Sequence, residues 1–391
     1  MTTPDIDVAA FRQRYKNRVE AGHDPRLGLY AEIQRDAVLG FTGVLPKEKT
    51  HRDADLSRKP DLSLIAADFL RMAGSHVPDT KAGKIEAGMK MMNGVKRSSY
   101  AVDDFPAWLG STVQRAVTAG YDTAIETWHF LSSTKEVPDF RQFDIVTTPE
   151  FPSPAETAEN GELPYMKLGS DNKESSALVS HSALFGLTRQ ALTNNDLIGL
   201  STIPQALGRA ANRAVGDKFY AVLAANAAMS DGHALFSSAH GNLVSSGAAP
   251  SVTAVGEARN LLTAQRGPSN SILNLRPALI LGATVLEGSL CSIREQMAGA
   301  NTDDNLTPGL VAGRLAVVTD ARLDDADASA WYILCDPARH GGIGVYFLEG
   351  GTEPYVEQRN AWVSDAVDYK LMHDFAVLPV DFRTWVKNPG T

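Results

Sequence analysis

Thr188-Arg189-Gln190-Ala191-Leu192-Thr193-Asn194-Asn195-Asp196, then Ile203-Pro204, then Asp231-Gly232-His233-Ala234-Leu235-Phe236 and His240-Gly241-Asn242, is the stretch on which the fold turns. It reads as an extended strand, a polar break, one long helix and a Gly/Ser-rich loop. Thr202 with Gln205 three residues on forms a capping box, and Pro204 falls in the first turn, where its missing N–H costs nothing. Ile203, Leu207, Ala211, Val215, Phe219 and Val222 share one side. The helix is therefore expected from 203 to 225, roughly 35 Å at about 1.5 Å per residue.

Outward toward the N-terminus, residues 139–182 hold Pro149, Pro152, Pro154 and Pro164, which exclude a helix. Asn160-Gly161 is a hairpin-turn dipeptide. Short extended runs flank it at Phe143–Thr147, Leu163–Leu168 and Ser176–Leu184. The segment has almost no core of its own, which is unusual inside a compact domain, so it is expected to rest on a neighbouring subunit. Before it, Ser111–Leu131 reads as an amphipathic helix through Val113, Val117, Tyr121, Ile125 and Trp128. Phe105-Pro106 reads as a stop. Asp61-Leu62-Ser63 caps a helix to Met72. Arg12–Glu20 and 84–93 are short helices, and the rest of 1–60 reads as an extended arm.

Toward the C-terminus, Val252–Gln265 is a helix and Pro277–Leu281 a buried strand. Thr284 with Glu287 opens a second capped helix to about Met297. Leu315–Thr319 pairs with Trp331–Cys335 across an acidic turn at Asp324-Asp325, giving an α/β sub-domain. Gly344–Leu348, Tyr355–Gln358, Val367–Asp374 and Ala376–Val380 are further strands, with inward alternation at Tyr369, Leu371, His373 and Phe375.

Bulk properties narrow the function. The 391 residues are 43% hydrophobic and 21% charged, an ordinary globular composition. The formal net charge of −9 argues against general nucleic-acid binding. Residues 1–136 carry 19 Lys and Arg against 18 Asp and Glu, whereas 137–391 carry 18 against 28. Lys81–Arg97 holds five basic residues against Glu86, a solvated face or a patch for an acidic partner. Cys291 and Cys335 form no Cys-x-x-Cys pair, so a thiolate zinc site is not expected and a reducing compartment fits. The N-terminus has no apolar signal region. The longest apolar run, Pro277–Leu286, is too short to span a bilayer.

Few residues suggest chemistry. His233 and His240 near Asp231 are the best acid–base or metal candidates, but their spacing matches no ligand motif. Gly341-Gly342-Ile343-Gly344 feeds a strand rather than a helix and reads as a turn. Gly216-Asp217-Lys218 lacks the phosphate-loop spacing. Asp324, Asp325 and Asp327 read as a solvated turn. No nucleophile, base and oxyanion donor come together, so no catalytic residue, cofactor or metal is expected. The alternative is an α/β hydrolase or metal-dependent enzyme using the His233/His240 loop. A charged helical scaffold is disfavoured by the β-rich C-terminal half.

The chain resembles the tailed-phage major capsid proteins of the Hong Kong 97 fold, more narrowly the Mu-like coat group and the coat half of protease–coat fusions. The resemblance rests on Phe185 through Leu197, on Ile203-Pro204 with Gly208-Arg209-Ala210-Ala211, and on Asp231-Gly232, Ala234-Leu235-Phe236 and His240-Gly241-Asn242. Tyr369-Lys370-Leu371-Met372-His373-Asp374-Phe375 and Asp381-Phe382-Arg383 to Asn388 extend it. It covers roughly residues 84–391. It implies an α+β coat fold: N-terminal extension and arm (1–137), extended β-hairpin loop (138–182), peripheral domain with a long spine helix (183–251), axial domain (252–340) and closing strands (341–391). It further implies self-assembly as pentamers and hexamers into an icosahedral head, made in the host cytoplasm. The partners are then a scaffold, a head protease, a portal and packaged double-stranded DNA held by weak contacts, with no membrane. Asn160, Gly161, Lys167, Lys173, Arg189 and Arg209 are the implied inter-subunit residues. Some relatives crosslink this loop through a lysine and an asparagine, and Lys167 and Lys173 lie in it.

Overall fold

A computed structural model describes residues 25–57, 59–72, 104–146, 173–188, 197–299, 315–360 and 366–391. In chain order these form α1 (Pro25–Phe41), α2 (Leu62–Met72), α3 (Asp104–Thr123), α4 (Trp128–Leu131), β1 (Ser132–Val137), β2 (Phe143–Val146), β3 (Lys173–Ser176) and β4 (Val179–Thr188). The helix α5 (Leu197–Ala225) follows, then α6 (Val252–Thr263), β5 (Pro277–Gly282), α7 (Glu287–Gly299), β6 (Ala316–Thr319) and α8 (Ala321–Asp327). The chain closes with β7 (Trp331–Cys335), α9 (Pro337–His340), β8 (Ile343–Leu348), β9 (Tyr355–Asn360), β10 (Ala366–Pro379) and β11 (Trp385–Asn388). Helix and sheet are mixed as the α+β reading expects. The helices expected at 12–20 and 84–93 lie outside the described residues. Two compact units emerge, one within 1–124, 182–211 and 353–372, the other within 125–181, 212–352 and 373–391.

In the first unit, α1 corrects the expectation of an extended arm over most of residues 1–60. Val38 and Leu39 are fully buried, and Trp108 Nε1 donates to the Ala31 carbonyl at 2.9 Å. Burying such side chains contributes about 1.5–3 kcal/mol each, enough to fold a segment of weak periodicity. Asp61 caps α2 as expected, accepting from the Leu64 amide at 3.4 Å. Helix α3 starts at 104, not 111, and ends at 123, not 131. Pro106 sits in its first turn, where no intrahelical N–H is needed, so it opens the helix instead of stopping it. Ile125, assigned to the apolar face, is 94% exposed.

Helix α5 starts at Leu197, six residues before the expected 203. Thr202 is therefore an exposed interior residue and not a cap, and Pro204 interrupts the helix interior. A proline there costs about 3 kcal/mol. The burial of Leu200 among Val38, Leu62, Phe69 and Trp108 offsets it. Ile203 is 47% exposed; the buried line runs instead through Leu200, Pro204, Gly208 and Ala211. Helices α3 and α5 cross at two glycines. A methyl group at Gly208 would lie 2.0 Å from the Val117 carbonyl oxygen, and one at Gly120 would lie 2.1 Å from that of Gln205. The backbones thus touch directly, and Val117, Tyr121, Ala211 and Leu371 pack around the notch. Gln114 of α3 holds β9 through Pro354 O (2.9 Å) and the Val356 amide (2.8 Å).

In the second unit, one sheet has the order β11-β7-β5-β6. Strands β5 and β6 are parallel, with Leu279 opposite Ala316, and α7 is the crossover such a pair requires. The expected β6–β7 pairing is therefore corrected: β7 pairs antiparallel with the other edge of β5. The acidic turn is helix α8, capped by Asp320 accepting from the Arg322 amide at 2.9 Å. The second capping box also fails. Thr284 opens a 3-10 turn and its hydroxyl goes to the Asp324 carboxylate. A second ladder runs β1–β8 parallel and β8–β10 antiparallel. The core gathers Trp128, Phe219, Phe236, Tyr332, Phe347 and Trp385. The alternation at Tyr369, Leu371, His373 and Phe375 is observed as four buried side chains. Burial pushes His373 down to about 4, so it is a neutral core residue at pH 7.

The glycine notch gives a paired test. Gly208→Ala should lower stability by about 1–3 kcal/mol, seen as a reduced denaturation midpoint. Gly256→Ala in α6, where nothing beyond the neighbouring turns of the helix's own backbone lies within 4 Å of the added methyl, should be neutral or raise stability by up to about 1 kcal/mol.

Candidate assembly surfaces and the His240 loop

Strands β2 and β3 form a two-stranded antiparallel ribbon, with Phe143 opposite Ser176 and Val146 opposite Lys173. This is the described base of the long loop. Its inward residues Phe143 and Ile145 pack on Val137, Leu178, Tyr346 and Ala376. The Phe143 and Tyr346 rings lie 5.2 Å apart. Val146 is 46% exposed. Across the ribbon Lys173 Nζ stands 3.5 Å from Asp144, and the Ser175 hydroxyl donates to Asp144 at 2.7 Å. The Ser175 hydroxyl, and after it Lys173, hold the exposed Asp144 carboxyl below its ordinary range. Glu174 reaches elsewhere. One of its carboxylate oxygens accepts from the Ser230 amide at 2.9 Å and the Ser230 hydroxyl at 2.6 Å, joining the ribbon to the loop after α5.

Of the implied inter-subunit residues, Lys173 is thus an exposed ion-pair member at the ribbon's base, and Arg209 lies half-buried in α5. Asn160, Gly161, Lys167 and Arg189 lie outside the described residues, as does the Lys81–Arg97 patch.

The loop from Asn226 to Asn242 is closed by its own side chains. Asn226, at φ +43°, accepts from the Phe236 amide at 2.7 Å and donates to its carbonyl at 3.1 Å. Asn242, fully buried, donates to Leu235 O (2.8 Å) and Phe382 O (3.1 Å). His240 is brought to Asp231 as the sequence suggested, with Nε2 2.6 Å from Oδ2. Its other nitrogen faces Leu235 O at 3.1 Å, and its ring stacks on Phe382 at 3.8 Å. The second Asp231 oxygen accepts from the His233 amide at 2.9 Å. Both ring nitrogens and both carboxylate oxygens are engaged, so the cluster is built as a loop clamp. Among the described residues no group of three or more His, Cys, Asp or Glu side chains is placed to hold a metal. The reading as a hydrolase or metal enzyme finds no support here.

The other candidate motifs are also structural. Gly341 and Gly342 have φ of +62° and +111°, and a methyl at Gly342 would meet Trp385 Nε1 at 2.6 Å. They form the turn into β8, as expected. Gly216 leaves room for Arg322, whose guanidinium pairs with Glu126 (3.0 Å), Asp217 (2.6 Å) and Asp320 (3.3 Å) and lies over the Tyr220 ring at 5.5 Å. Thr127 joins this cluster through Tyr220 (2.6 Å) and Asp320 (2.5 Å). Sequence reading missed both the Arg322 cluster and the Glu174–Ser230 link, because Glu126 and Asp217 lie 196 and 105 positions from Arg322, and Glu174 lies 56 from Ser230. No described helix is long and apolar enough to cross a membrane.

The clamp predicts a pH dependence. Burial alone would raise the Asp231 carboxyl, but the His240 hydrogen bond, the His233 amide and the nearby histidine charges outweigh it and hold the group below its ordinary 3.8. Its stabilising contribution is therefore full above that value and lost as pH falls through the folded value. Thermal melts from pH 7 to 3 should show Asp231→Asn less stable at neutral pH and less sensitive to acid than the parent. His240→Ala should cost about 1–3 kcal/mol at pH 7, because it empties the space of a buried ring stacked on Phe382 and removes the bond to Asp231.

The profile of a family described as phage capsid protein matches residues 171–388. No curated protein matches the chain. Solved structures similar to it include a virus-like particle from Pyrococcus furiosus, at 12% identity and a TM-score of 0.42, covering 71% of this chain and 97% of that one. The procapsid of bacteriophage JBD30 is similar at 13% identity and 0.41, covering 72% and 74%. The capsid of the Myoviridae phage XM1 is similar at 11% and 0.43, covering 68% and 91%. The family match takes in strand β3 of the ribbon, the long helix, the clamp loop and the closing strands, more than half of the sequence, and the chain belongs to the phage capsid protein family.

Proposed function

We propose that the chain is the major subunit of an icosahedral phage head, of the Hong Kong 97 type and closest in kind to the Mu-like coat group. It assembles with itself as pentamers and hexamers and resides in the virion capsid. The observation that carries this is the family match over residues 171–388. A half-exposed two-stranded ribbon at the base of the long loop accords with it. Residues 138–182 would lie over an adjacent subunit, residues 252–340 would gather around the symmetry axes, and α5 would be the spine of the peripheral domain. Lys173 and Arg209, with Asn160, Gly161, Lys167 and Arg189, belong to the contacts between copies. Many modest contacts then sum to one stable shell.

The net charge of −9 fits a shell that holds its double-stranded DNA by few contacts. Assembly takes place in the host cytoplasm with a scaffold, a head protease and a portal as partners. Electron microscopy of the purified chain tests the reading. Closed shells, or rings of five and six, are the expected result; monomers and dimers alone, even with a scaffold co-expressed, overturn it. Replacing residues 147–172 by a short Gly-Ser linker should leave a cooperatively melting subunit while abolishing shells.

A further inference from the structure

Strand β4 ends its sheet. Strand β10 lies along one edge, and no described strand lies along the other. The edge at Ser182–Thr188 therefore presents alternate N–H and C=O groups outward, the arrangement that accepts an added strand. Proteins that keep such an edge single protect it with charge, proline, a bulge or short length. Strand β4 has ten residues, Val-Ser-His-Ser-Ala-Leu-Phe-Gly-Leu-Thr, with no Lys, Arg, Asp, Glu or Pro. Its outward face is open: Leu184 is 74% exposed, and Ser182 and Gly186 are exposed beside it, whereas Phe185 on the other face stacks on Tyr369 at 5.0 Å.

The charge pattern selects the partner. Other strands with an open edge carry ions: Lys135 and Glu136 in β1, Asp144 in β2, Lys173 and Glu174 in β3, Glu357 and Arg359 in β9. Laid along β4, each would set a charge beside apolar or hydroxyl side chains with no counter-ion. Strand β6 is uncharged but has four residues, too few to cover this edge. The strand whose length and neutrality match β4 is β4. We propose that β4 of one copy pairs antiparallel with β4 of a second copy, an isologous two-fold contact centred near Ser182–Gly186. This inference rests on the reading that the chain assembles with itself.

Cysteine crosslinking on shells tests it. In a Cys291→Ser background, where burial pushes the remaining Cys335 thiol up to about 12 and so keeps it unreactive, Ser182→Cys and Leu184→Cys place one thiol on the strand. In antiparallel self-pairing centred at Leu184 that residue faces its own copy, with opposite Cβ atoms about 5 Å apart, while Ser182 faces Gly186 and two copies of Ser182 stand about 14 Å apart along the strands, so Leu184→Cys takes a short bis-maleimide and Ser182→Cys one with a spacer of that length. A bis-maleimide should then convert most of the protein into a covalent homodimer, and adding Leu184→Lys to Ser182→Cys should reduce that yield at least tenfold. All three substitutions are at exposed positions, and melting curves verify folding. Shells with no homodimer overturn the pairing and leave the shell reading standing. Homodimer without shells supports the pairing and overturns the shell reading. Neither product overturns both.

Discussion

At Gly120 and Gly208 two helices meet with no side chain between them, and the first unit is organised by that contact. Direct backbone approach fixes both the spacing and the rotation of α3 against α5, because any Cβ at either position would enter a carbonyl oxygen of the other helix. Once the helices are seated, Val117, Tyr121 and Ala211 close around the notch, and Gln114 is placed to clip β9. The proline inside α5 is tolerated for the same reason. The turn that carries it is held by Leu200 and its neighbours, so the lost hydrogen bond is offset by packing rather than by local helix preference.

The second unit is organised around polar side chains that replace regular structure. Asn226, Asn242, His240 and Asp231 tie a long irregular loop together through side-chain hydrogen bonds, and the closing segment fastens onto it through Phe382. Arg322 performs the corresponding task beside α4, gathering Glu126, Asp217 and Asp320 into one cluster. Removing the arginine would leave three carboxylates facing one another, so its role there is as much to cancel repulsion as to attract.

Periodic segments were legible in the sequence. The long helix, α6, β5, β8 and the alternation along β10 all follow from apolar spacing that survives in the fold. Element starts were less so. Pro106 and Pro204 read as boundaries because local rules place proline at helix ends, yet one opens a helix and the other lies inside one. Thr202-Gln205 and Thr284-Glu287 satisfy a capping pattern on paper, but tertiary partners took the threonines or extended the helix past them. The sheet order was illegible at β6 and β7, since a crossover strand pairs with residues 37 positions back and no pattern in its own residues says so. Around His240 the sequence showed the right residues, and only geometry showed that every ring nitrogen and carboxylate oxygen was already occupied.

Glu174 grips Ser230 from a ribbon whose inward face rests on a small apolar cluster. That arrangement makes the ribbon a lever. A load on the ribbon reaches the body of the subunit through its chain ends, through a soft apolar seat, and through a polar latch in which one Glu174 oxygen takes two hydrogen bonds from Ser230. Torque is thereby delivered to the loop held by His240 and Asn242, which is braced in turn by the closing segment. The stiffness of the ribbon is then set by a carboxylate 56 positions from its partner, and a shell built from such subunits would owe part of its elasticity to one hydrogen-bonded joint repeated in every copy.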